Sequence, residues 1–285
     1  MKKNIAIIMG GYSSEVEISL KSGAVVYKNI SKELYNTYQI HILKNKWVLV
    51  DDSKNEHPIN KHDFSAEIHD KKITFECVFN AIHGHPGEDG TILAYFDLIG
   101  LKHTSAPFYQ MALTFNKRDC LSVVKQYGIK TAASFYLDKG AKINVEEIIN
   151  KVGLPCFVKP NNAGSSFGIS KVKIKDEMVP AIEKAFKEDS QILIEAFLDG
   201  PEITIGVIEF EGKIKVLPMT EIVTENDFFD YEAKYLGKSQ EITPARISDE
   251  MTQKVGEIAK RAYKALKMKG FSRSEFIIVD DEPHM

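Results

Sequence analysis

Cysteine is scarce. Cys77, Cys120 and Cys156 are the only three in 285 residues, and no C-x-x-C pair occurs. An odd number of widely separated thiols suggests neither a disulfide framework nor a zinc site, and reads as reduced, partly buried cysteine. No stretch of about 18 apolar residues occurs, so no membrane span is expected. The opening run Ile5–Met9 is too short for a secretory leader and is broken by Gly10-Gly11, so it reads as a first strand. A basic excess is also missing. The chain has 37 Lys and Arg against 40 Asp and Glu, a formal charge of −3. General nucleic-acid binding is therefore not expected, although a local basic pocket remains open. There is no internal repeat, low-complexity tract, heptad run or Walker A motif, and no signature of a Ser-His-Asp triad or catalytic cysteine.

What is present is an ordinary globular mixture, 44% hydrophobic and 27% charged, long enough for two or three small domains. Ile5–Met9, the Gly10–Ser13 turn and an apolar series at Val16, Leu20, Ala24 and Tyr27 read as strand, turn and helix, with Ser14 and Glu17 at capping-box spacing. Strands are expected at Gln39–Leu43, Trp47–Val50 and Ile73–Phe79, and a helix at Thr91–Ile99, giving a mainly parallel layered α/β domain over 1–105. A smaller α+β domain over 106–196 opens with a helix near Phe108–Tyr127. It continues with strands Ser134–Leu137, Cys156–Lys159, Gly168–Ile174 and Ile192–Glu195, and helices Val145–Val152 and Asp176–Lys187. A third unit, 197–285, begins with strands Glu202–Phe210 and Lys213–Leu217 around the tight Glu211-Gly212 connection. It then has a long polar stretch from Thr224 to about Ile247, a helix at Asp249–Lys267 and a strand at Glu275–Val279. A loop that long inside a compact domain is usually functional or disordered, and its aromatic residues argue against disorder.

Six constellations carry candidate chemistry. The turn Gly10–Glu15 presents backbone N–H groups at a helix start; Glu15 is either a dipole partner or the anchor for a substrate ammonium. His83–Gly90 follows a predicted buried strand, where α/β proteins place ligands. His83 suits a polar substrate contact better than a metal, since i,i+2 histidines on a loop are a poor ligand set, and solvated histidines are the alternative. Lys159, ending a strand before the small-residue loop with Ser165 and Ser166, fits phosphate binding; an exposed hairpin is the alternative. Glu195, Leu198 and Glu202 around Gly200-Pro201 could bracket a base and ribose, or form a solvated strand edge. In Tyr231–Tyr235, Lys234 could reach a transferring phosphoryl group from a water-excluding loop. Arg273 could stabilise developing charge and Glu275 hold Mg²⁺, unless they form a simple ion pair.

In order, these segments, with Asn116-Lys117, resemble the D-alanine–D-alanine ligase family along essentially the whole chain. The resemblance implies an ATP-grasp architecture: an α/β N-terminal domain, a small central α+β domain and an incomplete C-terminal α+β domain. It implies ATP between the second and third domains, with Lys117 and Lys159 on its phosphates and Ser166 in the phosphate loop. Glu195, Ala196 and Leu198 would hold the adenine, Glu202 the ribose and Lys234 the γ-phosphate. It implies that Glu15 binds the ammonium of the first of two D-alanine molecules and that His83 lies near its carboxylate. Ser165 and Tyr235 would hydrogen-bond with Glu15 and close the lid, Arg273 would act at the reacting centre and Glu275 would ligate Mg²⁺ (or Mn²⁺). Tyrosine at 235 favours an amine acceptor. A cytoplasmic homodimer serving peptidoglycan precursor synthesis is also implied.

Two departures qualify this reading. Glu275 stands where the family usually has Asp. The family also continues with a Glu-x-Asn-Thr-x-Pro-Gly strand and a Ser-Leu pair, whereas this sequence stops at Pro283-His284-Met285. A lone carboxylate is a poor Mg²⁺ site, so the expectation is a chain with little or no activity from an active parent. The rival readings are another ATP-grasp carboxylate–amine ligase, which the substrate-side segments disfavour, and a non-catalytic nucleotide-binding protein of the same fold.

Overall fold

The computed structural model describes residues 2–224 and 239–285. Lys234 and Tyr235 lie outside them. Two compact units are present, Met1–Ala112 and Leu113–Met285.

The first unit is built on an eight-stranded mixed sheet, in the order β6-β5-β4-β3-β2-β1-β7-β8. Its elements are β1 (Lys3–Gly10), α1 (Val16–Asn29), β2 (Tyr35–Leu43), β3 (Lys46–Val50), β4 (Glu56–Asn60), β5 (Ser65–Ile68), β6 (Lys71–Ile73), β7 (Cys77–Asn80), α2 (Thr91–Leu98), β8 (Lys102–His103) and α3 (Phe108–Phe115). Strands β2, β1, β7 and β8 run parallel, and from β2 out to β6 the pairing is antiparallel. The expected parallel sheet is thus only half parallel. The reason is local: Lys44-Asn45 is too short a link from β2 to β3 for a crossover and permits only a hairpin. The single strand expected at Ile73–Phe79 is instead the end of β6 and the start of β7, with Phe75 buried between them.

Ala6, Ile7 and Ile8 of β1 have no solvent exposure, because both faces of the central strand are covered. Helix α1 approaches closely enough that a Cβ on Gly23 would sit 2.7 Å from the Met9 side chain. The expected Ser14–Glu17 capping box does not form. Glu15 is the N-cap residue and caps with no side-chain bond. Ser13 serves the turn instead, its Oγ accepting the Glu15 N–H at 3.2 Å and donating to the His83 carbonyl at 3.1 Å.

The second unit contains two antiparallel sheets. Its elements are α4 (Lys117–Gln126), β9 (Ser134–Asp138), α5 (Val145–Val152), β10 (Cys156–Pro160), β11 (Ser170–Val172), α6 (Met178–Ala185), β12 (Gln191–Ala196), β13 (Glu202–Phe210), β14 (Lys213–Val216), β15 (Thr220–Thr224), β16 (Ser239–Ile242), α7 (Asp249–Ala265), β17 (Phe271–Val279) and β18 (Glu282–His284). The smaller sheet runs β11-β10-β12-β9; the larger runs β16-β15-β13-β17-β18, with β14 beside β13. The expected boundary near 196 falls between these sheets, and the boundary near 105 falls before Pro107 and α3, which begin inside the first unit.

The helix expected over Phe108–Tyr127 is two helices. Asn116 adopts extended backbone between them and caps α4, accepting the Asp119 N–H at 3.0 Å. Glu211 and Gly212 both have positive φ, 53° and 70°, as a two-residue hairpin turn demands. Period-two alternation gives each sheet one apolar and one polar face. Cys156, Val158, Ile192 and Ile194 pack with Ile148 and Ile182 of α5 and α6. Ile203, Ile205 and Phe276 are buried on the α7 side of the larger sheet. Among the described residues no helix is long and apolar enough to cross a membrane.

Candidate active site

The polar faces of the two sheets in the second unit contribute to one cavity of about 320 Å³. On the smaller sheet Phe157 pairs with Glu195 across the ladder, and Lys159 lies two residues on, so all three share a face. Lys159 Nζ donates to Glu195 Oε2 at 2.8 Å, and the two side chains are 28% and 12% exposed. Burial by itself pulls the Lys159 ammonium down. Glu195 outweighs it, with help from Glu275 and Glu202, and holds the group above the usual lysine value. From the larger sheet come Glu202 of β13 and Glu275 of β17, placed on one face because Thr204 pairs with Glu275. Lys117, the first residue of α4, also lines the cavity and donates to the carbonyls of Asn161 and Ala163 at 3.2 and 2.5 Å.

The loop from β10 to β11 supplies Ser166 to the cavity wall. Ser165 and Ser166 both hold left-handed backbone, at φ 49° and 62°. Positive φ at two successive non-glycine residues marks a tight turn, closed by the Phe167 N–H on the Gly164 carbonyl at 3.1 Å. Ala196 and Leu198 line the cavity beside Phe157 and Ile277. The Ala196 N–H is committed to the Ala133 carbonyl at 2.9 Å, so Ala196 has no N–H to offer there. Arg273 is not in the wall but reaches it through Glu275, donating from Nη2 to Oε1 at 3.0 Å.

The first unit carries a separate acidic cluster. Glu15 is 3% exposed, and ligand atoms of Glu15, His83 and Glu88 all lie within 4.8 Å of one another. The trio is already partly committed. His83 Nε2 lies 3.0 Å from Ser22 Oγ, and Glu88 Oε2 accepts the Gly84 N–H at 2.6 Å. Buried Ser19 ties the ends of two strands here, accepting from Gly10 N–H and donating to the Ala81 carbonyl, each at 2.8 Å. Gly84 has no substitute: at φ 69° a Cβ would sit 2.5 Å from Ser13 Oγ and 3.0 Å from Glu15 Oε2. Two carboxylates beside a histidine offer oxygen and nitrogen acceptors that suit an ammonium.

Several neighbours of these sites were not singled out from sequence. Glu88 lies inside the His83–Gly90 segment, but nothing in its spacing distinguished it from Asp89. Ser22 is one helical turn beyond Ser19, a weak periodic signal. Cys120, Thr114 and His284 enter the cavity wall only through pairing and packing.

Two antiparallel sheets holding lysines and acids around one cleft are what the resemblance to the ATP-grasp ligases implies. Family comparisons agree. Residues 4–106 match the model described as D-ala D-ala ligase N-terminus, and residues 123–285 that of its C-terminus. The D-alanine--D-alanine ligase of Flavobacterium johnsoniae is 70% identical over 283 residues, covering 99% of this chain and 88% of the relative. Among solved structures, the VanG D-Ala:D-Ser ligase from Enterococcus faecalis is 31% identical with a TM-score of 0.81, covering 100% of this chain and 89% of that one. The D-alanine--D-alanine ligase from Bacillus anthracis complexed with ATP is 26% identical with a TM-score of 0.75, covering 99% and 84%. The chain belongs to the D-alanine–D-alanine ligase family.

Proposed function

We propose that the chain joins two D-alanine molecules to D-alanyl-D-alanine at the expense of ATP, for peptidoglycan precursor synthesis. Family membership supports the reaction, and the cavity in which Lys117 and Lys159 meet Glu195, Glu202 and Glu275 carries the reading of where the nucleotide binds. The two ammonium groups neutralise the phosphates, Ser166 shapes the phosphate loop, and Ser165 is assigned to the lid by resemblance. Glu195, Ala196 and Leu198 accommodate the base, with Ala196 contributing by contact or carbonyl rather than by its N–H. Glu202 takes the ribose. Glu15 grips the ammonium of the first D-alanine with His83 near its carboxylate. Lys234 and Tyr235 are assigned to the γ-phosphate and the lid by resemblance.

The carboxylate of the first D-alanine attacks the γ-phosphorus, ADP leaves, and an acyl phosphate forms. The amine of the second D-alanine then attacks the carbonyl carbon and expels phosphate. No covalent nucleophile is needed, because positioning and charge neutralisation carry the reaction. Arg273, paired with Glu275, supplies fixed positive charge at the reacting centre. Glu275 would be the residue to hold Mg²⁺ (or Mn²⁺), with its carboxylate as the hard oxygen donor. When bound, the metal adds charge neutralisation at the phosphates. A cytoplasmic homodimer is part of the same proposal.

The test is phosphate release from ATP by the 285-residue chain with D-alanine, with dipeptide detection and with D-serine and D-lactate as competing acceptors. D-alanine-dependent release with dipeptide supports the ligase reading and overturns the expectation of an inactive chain. Thermal stabilisation by ATP without dipeptide favours the non-catalytic binding protein. No stabilisation by ATP overturns the nucleotide assignment.

A further inference from the structure

The turn that carries Glu15 begins with an aromatic side chain that the proposed reaction leaves unused. Tyr12 holds the histidine loop in three ways. Its N–H donates to the His85 carbonyl at 2.8 Å. Its ring meets the His85 imidazole edge-on, with centroids 5.4 Å apart at 65°. Its hydroxyl accepts from Trp47 Nε1 at 2.6 Å. Trp47, the only tryptophan of the chain, packs against Phe64 and Tyr95 in the aromatic core of the first unit, with centroids 6.3 and 5.8 Å away. Tyr12 is therefore anchored in the core on one side and set against His85, the exposed residue of an otherwise largely covered loop, on the other.

That loop is stiff enough to pass the hold along. The His85 and Asp89 side chains meet at 2.5 Å; the Glu88 N–H donates to the Gly84 carbonyl at 2.8 Å, and Glu88 Oε2 accepts the Gly84 N–H at 2.6 Å. The next residue of the turn, Ser13, bonds the His83 carbonyl. The His83–Gly84 peptide is packed so tightly on Ser13 and Glu15 that it has no room for a methyl group. A chain of contacts thus runs from Tyr12 and His85 to the peptide beside the Glu15 carboxylate.

We infer that Tyr12 is a positioning residue for the Glu15–His83 pocket: clamped by Trp47, it fixes His85 and through it the distance from the His83–Gly84 peptide to Glu15. The inference rests on reading that pocket as the ammonium site of the amino-acid substrate.

The experiment uses the full chain with Tyr12→Leu, Tyr12→Phe and Trp47→Phe. Backbone hydrogen exchange without ligand reads the clamp. Exchange over residues 83–90 is expected to rise roughly tenfold in Tyr12→Leu and only a few-fold in the other two, with β1 and β7 unchanged. D-alanine affinity is expected to fall roughly tenfold in Tyr12→Leu, while nucleotide affinity stays at the unsubstituted value, and Tyr12→Phe retains most of the affinity. Unchanged exchange over 83–90 in Tyr12→Leu overturns the clamp. A parallel fall of D-alanine and nucleotide affinities overturns it too, because it marks general destabilisation. Glu15→Gln separates the underlying reading: if it binds D-alanine as well as the unsubstituted chain does, the ammonium site is wrong, whatever the exchange shows of Tyr12.

Discussion

Lys159 sits against three carboxylates, those of Glu195, Glu202 and Glu275. Its value in the fold is raised, so the stabilisation it gives is fully present below the ordinary lysine value of 10.5 and is lost only as pH climbs through the raised one. Nucleotide affinity should therefore show no Lys159 titration between about pH 6 and 10. Lys159→Met should lower it by about a hundredfold, since charge-assisted hydrogen bonds contribute about 1.5–3 kcal/mol. A titration of affinity against pH for both proteins checks this. Cys120 lines the same cavity, and burial pushes its thiol up to about 11. On the order of one molecule in a few thousand then carries the thiolate at pH 7.5. Alkylation of Cys120 should be slow in the folded chain and slower still with nucleotide present, as peptide mass mapping would read. Lys159 stood out in the sequence as a lysine late in a strand before a small-residue loop, with an exposed hairpin as the alternative; its place in a cavity wall came only with the fold. Cys120 was not, because a helix residue facing a cavity looks like any other until the opposing sheet is in place.

At the scale of elements, turns and caps were legible where one residue determines the backbone. Glu211-Gly212 makes the two-residue hairpin its length required. Asn116 is a different case: the apolar pattern runs through it, and only its capping bond to Asp119 divides α3 from α4. Asn116→Ala should cost about 1 kcal/mol, measured by urea unfolding. Gly200 marks a close approach that no periodicity reveals. A Cβ there would lie 1.9 Å from the Ile278 carbonyl oxygen, where β13 begins beside β17. Gly200→Ala should destabilise by about 1–3 kcal/mol, the usual cost of overpacking, and should weaken nucleotide binding because Glu202 follows two residues later. An unfolding midpoint within error of the parent would contradict this account. The capping box proposed at Ser14–Glu17 does not form, because the helix starts one residue later, with Glu15 as its N-cap residue; Ser13 meets the His83 carbonyl from a loop distant in sequence.

For the molecule as a whole, each compact unit carries its own candidate residues, Glu15, His83 and Glu88 in the first and the lysine-and-acid cavity in the second. A nucleotide at a hundred times its Kd should add about 2.7 kcal/mol, with hydrogen-exchange protection concentrated on β10, β12, β13 and β17. D-alanine should protect the Gly10–Glu15 turn and residues 83–90. Protection by ATP spread equally over β1 and β7 would count against the assignment. Local chemistry by itself determined the positions of most strands and helices, the hairpin and the identity of the glycine-rich and lysine-bearing loops, because those depend on periodicity and on backbone freedom at single residues. The tertiary structure decided which of the candidates share a cavity, that half of the first sheet is antiparallel, that Glu88 joins Glu15 and His83, and that Tyr12 is gripped by Trp47. Those facts depend on strand order and register, which bring together residues far apart along the chain, and no local pattern encodes that meeting.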